Sequence, residues 1–281
     1  MLLFNHLHLN VYYLTSPISP YLCPMHFDKL KALLDAKAEL YNRPEFIPSD
    51  PISIPHSFSR REDIEIAGFL VATIAWGQRT TIVKNGFRLM ELMDNAPYDF
   101  VIGAKANDLK RLSGFVHRTF NSDDLLFFVE SLRNIYANKG GLEAAFSDGI
   151  KPGDTDVFNA LCGFRSRFLD SPHLPRSVKH IANPATGSTA KRINMFLRWM
   201  VRSDNKGVDF GLWKSIFPAL LCCPLDVHVG NVARKLGLLE RKQNDWKAVE
   251  EMTAILRQLD AKDPVKYDFA LFGMGVFEKR R

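Results

Sequence analysis

The stretch Cys222–Leu239, "CCPLDVHVGNVARKLGLL", sets an aspartate at the head of an amphipathic helix. Val227, Val232, Ala233 and Leu236 recur at helical spacing, and Gly237 ends the run. Asp226 stands where an N-cap is needed, because its oxygen can accept an otherwise unpaired backbone N–H. His228 follows two residues later. Capping alone accounts for Asp226; a chemical role for the same carboxylate has to be argued from the rest of the chain.

Outward from this helix the pattern stays helical. "HFDKLKALLDAKAELY" predicts a helix over 26–41. "RREDIEIAGFLVATIAWG" places Ile64, Ala67, Phe69, Leu70, Ile74 and Ala75 at helical spacing, with acidic residues in its first turn. Further helices are predicted near 80–94, 97–103, 105–112, 122–137, 139–147, 155–168, 189–202, 209–217, 226–236, 245–258 and 263–273. "NRPEFIPSDPISIPHSF" is a proline-rich loop, and "HRTFNSDD" is a loop with an N-cap expected at Ser122 or Asp123. No segment alternates with period 2, so the fold class is all-α.

The chain has 281 residues, 46% of them hydrophobic, enough to bury a substantial core. The four cysteines form no C-x-x-C pair and suggest neither a disulfide scaffold nor a metal site. They read as reduced thiols in a cytoplasmic protein. No apolar run reaches the roughly 18–20 residues of a membrane span. Residues 1–24 lack periodicity and a signal-peptide pattern, and are expected to be a flexible arm or a start codon chosen too early. The ordered domain is expected over 25–281.

Lys and Arg exceed Asp and Glu by six. The whole excess lies between Arg176 and Phe217, where eight basic residues face only Asp204 and Asp209. On a helical wheel Ile193, Phe196, Leu197 and Met200 share one side, while Lys191, Arg198 and Arg202 share the other. Such a stripe suits phosphate contact, a solvated helix face, or a chemical role for Lys191. An amine must shed its proton to act as a nucleophile, and neighbouring cations favour that.

Three stretches resemble the helix-hairpin-helix DNA glycosylase superfamily of the endonuclease III type. "FLVATIAWGQRTTIVKN" is similar to the family stretch L-L-S-A-Q-A-T-D, whose Gln fills the hole left by a flipped nucleotide; Gln78 matches it, with Arg79 beside it. "GSTAKRIN" is similar to G-V-G-R-K-T-A-N, and its Lys191 matches the nucleophilic lysine. "PLDVHVGNVARKLGLL" is similar to V-D-T-H-x-x-R-V-x-x-R; Asp226 matches the second catalytic residue and His228 the family histidine. "YDFALFGMGV" resembles the closing helix. The hairpin departs from the family's L-P-G-V-G, reading "NPATGST", although amides around Gly187 can form an anion nest. Lys191 and Asp226 lie 35 residues apart, a spacing closer to the archaeal-type 8-oxoguanine glycosylases. The whole chain also resembles an uncharacterised bacterial domain-of-unknown-function family.

The resemblance implies two helical lobes flanking a DNA-binding cleft, base excision with AP lyase activity on damaged bases, oxidised bases among the candidates, and a monomeric enzyme acting on double-stranded DNA. Lys191 and Asp226 would be catalytic. Gln78, Arg79, Gly187, Ser188, Arg192, Arg198, Arg202 and His228 would contact DNA. The chemistry needs no metal or cofactor, and no iron–sulfur cluster is expected, because no cysteine follows Cys223. Trp76 and Trp199 are either core residues or stacking platforms for an extruded base. His117 and Arg118 are read as a satisfied buried pair, and Lys206 and Lys214 as substitute nucleophiles. The alternative function is a non-catalytic nucleic-acid-binding protein of the same fold.

Overall fold

The computed structural model describes residues 24–278, and its regular structure among them is helical, apart from one isolated bridge between His117 and Phe120. In chain order the α-helices are α1 (Pro24–Tyr41), α2 (Arg61–Ile74), α3 (Arg79–Leu92), α4 (Pro97–Gly103), α5 (Ala106–Lys110) and α6 (Ser122–Asn138). They continue as α7 (Gly141–Ser147), α8 (Phe158–Phe168), α9 (Lys191–Val201), α10 (Val227–Lys235), α11 (Trp246–Leu259) and α12 (Tyr267–Phe277). Of the expected N-terminal arm, only Pro24 lies within the described residues. Among the described residues no helix is long and apolar enough to cross a membrane.

α2 is the central element, buried continuously from Ile64 to Ile74. α9 packs along it, and Gly68 lets it come close: a Cβ there would meet Phe196 and Met200 at 3.3 Å. Phe69 of α2 stacks or edges against Phe128, Phe164, Phe168 and Phe196, tying α6, α8 and α9 into one aromatic core. On the far side α12 runs between α1 and α10. Its glycines form that contact face: Gly275 lies against the His228 carbonyl, and a Cβ on Gly273 would come 2.1 Å from the Tyr41 ring. Gly273→Ala is therefore expected to destabilise by about 1–3 kcal/mol through overpacking, despite alanine's better helix propensity. A lowered urea midpoint with an unchanged slope would show it.

Three sequence expectations need correction. The helix predicted over 209–217 is absent. The Phe210 and Trp213 amides instead donate to the Trp199 and Met200 carbonyls at 2.8 and 2.9 Å, satisfying acceptors left open at the end of α9. Trp213 reaches back to α2, its indole N–H donating to Glu65 at 2.8 Å. The N-cap of α6 is Asn121 rather than Ser122 or Asp123: Asn121 and Asp124 form a reciprocal capping box. The proline-rich loop folds into short 3-10 turns, among them Pro51–Ser53, which Asp50 caps.

Cys222 and Cys223 are core residues between the 3-10 turn Pro218–Leu220 and Asp226. Burial pushes the Cys222 thiol up to about 12, which suits packing rather than nucleophilic chemistry.

Candidate active site

Lys191 and Asp226 meet in a cleft of about 540 Å³. Lys191 is the first residue of α9; Asp226 caps α10. The Lys191 Nζ lies 3.9 Å from Asp226 Oδ2, beyond hydrogen-bond length, so the amine sits beside the carboxylate without being locked to it. Asp226 divides its work between its oxygens. Oδ1 accepts the His228 and Val229 amides at 2.9 and 3.0 Å, and Oδ2 faces the amine. The cap thus fixes the direction of the carboxylate.

Lys191 is aimed in a similar way. Ala190, before it, has φ 49° in the left-handed region, which costs a residue with a Cβ roughly 1–2 kcal/mol and persists only where its surroundings hold it. Ala190 is buried, and the Asn194 amide bonds its carbonyl at 2.9 Å. The Lys191 Nζ also approaches the Met195 sulfur at 3.8 Å, one turn on.

Three helix N-termini converge on this cleft. Arg79 opens α3, Lys191 opens α9, and Asp226, Val227 and His228 open α10. α3 and α9 have no side-chain cap, so their first amides present partial positive charge, whereas Asp226 takes up the His228 and Val229 amides of α10. Arg192 adds a further cation: its guanidinium donates to the Thr73 carbonyl and lies 4.6 Å over the Trp76 ring. Burial alone lowers its pKa to about 10. Arg79 lies 5.1 Å over the Phe272 ring. Trp76, Ile82, Met195, Phe272 and Val276 give the cleft apolar walls, and Asp50 and Pro51 line it as well. An electropositive cleft with flat apolar walls and an amine beside a carboxylate suits an anionic ligand with a planar group.

Of the sequence-derived site residues, Lys191, Asp226, Arg79, Arg192 and His228 line the cleft. Gln78 is exposed between the lining residues Gly77 and Arg79, as the N-cap residue of α3. Gly187 and Ser188 are not among the lining residues; they belong to the loop before α9. The anion nest expected there is not formed. The amides of Thr186, Gly187 and Ser188 bond back to the Asn183 and Pro184 carbonyls. Nor does an α-helix pair with α9 across that loop, because a 3-10 turn, Pro184–Thr186, precedes it.

Arg198 and Arg202 are the largest correction. Each is only 4% exposed, not on a solvent-facing stripe. Arg198 pairs with Asp209 at 3.2 Å and with Asp268; Arg202 pairs with Asp204, Asp209 and Asp263 at 2.7, 3.1 and 2.9 Å. Burial opposes the charge on Arg198, yet Asp209 and Asp268 hold its pKa above the usual range. Arg176 and Lys206 also have carboxylate partners, Asp124 and Glu39. Arg198 and Arg202 are therefore neutralised inside the fold, Arg176 and Lys206 are paired nearer the surface, and the cations of the cleft are Arg79, Lys191 and Arg192.

Trp199 is fully buried and cannot stack on a ligand, whereas Trp76 lines the cleft. His117 is buried, bonded to Asn85 at 2.9 Å and to the Trp76 carbonyl at 3.1 Å; Arg118 is exposed, so the two are not a buried pair. The Lys214 amine bonds the Gly211 carbonyl at 2.6 Å, and neither Lys206 nor Lys214 lines the cleft. Asp50 escaped the sequence reading. Its signal was Asp-Pro, an N-cap followed by proline at the first helical position.

Fold and cleft together define an all-α protein with an amine and a carboxylate paired at two helix N-termini. The chain belongs to the family described as Protein of unknown function (DUF2400), whose model matches residues 50–277 and so includes every residue lining the cleft. No curated protein and no solved structure matches the chain.

The division of labour within Asp226 is testable. Asp226→Asn keeps a capping oxygen, so it is expected to move stability by less than about 1 kcal/mol, while Asp226→Ala costs about 0.5–2 kcal/mol. Urea unfolding of both variants measures this.

Proposed function

We propose that the protein excises damaged bases from double-stranded DNA and cleaves the resulting abasic site, with Lys191 as amine nucleophile and Asp226 as its carboxylate partner. The observation that carries this reading is the 3.9 Å approach of Lys191 Nζ to Asp226 Oδ2 inside the cleft, from positions 35 residues apart. On this reading the damaged nucleotide leaves the duplex and enters the cleft between two helical lobes. The amine attacks the anomeric carbon, and the glycosidic electron pair leaves with the base. Asp226 favours the cationic sugar and takes the proton that the amine sheds. Ring opening gives an imine, and β-elimination then cuts the strand.

Arg79 and Arg192 would hold flanking phosphates, Trp76 and Phe272 would sandwich the base, and Gln78 at the rim would fill the vacated stack. The reading requires no metal or cofactor and a single chain. Duplexes carrying 8-oxoguanine, uracil, hypoxanthine or thymine glycol test it. Lesion-dependent strand scission that Asp226→Asn slows strongly is the expected result; a protein that leaves all four duplexes and a preformed abasic site intact would contradict it.

A further inference from the structure

Asp50 is a second carboxylate of the cleft, and the mechanism above does not use it. It is 7% exposed and caps the 3-10 turn Pro51–Ser53, accepting the Ile52 amide on Oδ1 at 3.2 Å. No other hydrogen bond or ion pair to its side chain occurs among the described residues, although Arg79 and Lys191 line the same cleft. Asp50 also lines a small neighbouring pocket of about 30 Å³, together with Lys191, Met195, Arg198, Asp268 and Phe272. Two capping aspartates thus border one cleft with Lys191, each giving one oxygen to a backbone amide. Asp226 directs its other oxygen at the amine; the second oxygen of Asp50 has no hydrogen-bond or ion-pair partner among the described residues.

We propose that Asp50 is the general acid that protonates the departing base. This rests on the base-excision reading above. When the lysine amine forms its bond to the anomeric carbon, the glycosidic bond breaks and its electron pair passes to the base nitrogen. The proton on Asp50 moves to the base, which leaves neutral, and Asp50 is left as carboxylate, to be reprotonated from solvent. The lysine proton leaves separately through Asp226, so each carboxylate handles one proton.

Burial shifts Asp50 toward its acid form. Burial raises its pKa, and this outweighs the Ile52 amide and the positive charges of Arg79, Arg198 and Lys191, which pull the other way. The charged and titratable groups around it are Arg79 on α3, Lys191, Arg192 and Arg198 on α9, Asp226 and His228 at the head of α10, and Asp268 on α12. The acid form is present below the raised pKa and is lost as pH rises through it, so excision should slow on the alkaline side.

Asp50→Asn tests this, since asparagine ranks with aspartate as a cap and keeps the turn. Single-turnover excision from the four lesion duplexes is measured against pH, alongside borohydride trapping on a preformed abasic duplex, where no base departs. Asp50→Asn is expected to slow excision at least ~100-fold more than trapping, the scale of general acid catalysis. It should also erase the alkaline limb of the wild-type profile. Equal slowing of both steps, excision at the wild-type rate, or a wild-type protein that traps the abasic site but excises none of the lesions would each overturn the acid role while leaving the lysine–aspartate chemistry standing. A wild-type protein that neither traps nor excises would overturn the base-excision reading, and the role of Asp50 with it.

Discussion

Lys191→Gln is expected to abolish base excision, with a loss on the order of 10⁴–10⁶-fold, the scale reached when a covalent nucleophile is removed. Glutamine keeps the length and polarity of the side chain, but its amide cannot form an imine. Lys191 is the first residue of α9, its side chain about a quarter exposed, so the substitution leaves the core intact and thermal unfolding should be nearly unchanged. Lys206→Gln and Lys214→Gln should leave excision at the wild-type rate, because neither lysine lines the cleft. Excision by Lys191→Gln at a tenth of the wild-type rate or better would remove Lys191 from the nucleophile's role.

Asp209→Ala is expected to give one of the largest stability losses in the chain. Asp209 lies between Arg198 and Arg202, accepting from both at 3.2 and 3.1 Å, and all three residues are buried. Removing one partner of a buried ion pair costs about 3–5 kcal/mol, because the remaining charge stays desolvated. Asp268, Asp204 and Asp263 still neutralise the two arginines in part, which argues for the lower end of that range. Urea unfolding reads the loss directly. If Arg198 and Arg202 were DNA contacts on an exposed face, Asp209→Ala would instead leave stability nearly unchanged and increase the salt dependence of DNA binding.

The same two arginines mark where the sequence misleads. A helical wheel sorts residues by chemistry, and cations opposite an apolar stripe read as exposed. In α9 both sides are buried, and the carboxylates that make this tolerable all lie beyond the helix: Asp204 just past its end, and Asp209, Asp263 and Asp268 at separations of 7 to 70 residues from the arginines they meet. No local pattern carries that pairing. The segment 209–217 failed for a related reason, since its amides are claimed by the end of α9 rather than by a helix of its own.

What was legible rested on local physics. The spacing of apolar residues placed α1, α6, α10 and α11 to within one or two residues at each end, and located α2 without fixing its end at Ile74. The N-cap pattern located Asp226, and its bonds to the His228 and Val229 amides follow from it. Lys191 and Asp226 were singled out by motif order, and the fold brings them within 3.9 Å. Asp50 was hidden because its burial at the cleft beside Lys191 is a property of the packed molecule.

Borohydride trapping on an abasic duplex, followed by mass-spectrometric mapping of the cross-linked peptide, bears most directly on the lysine–aspartate pair. Reduction of the imine should yield one covalent protein–DNA species, with the adduct on Lys191 and the species absent from Lys191→Gln. A cross-link at another lysine, or one that persists undiminished in Lys191→Gln, would contradict it.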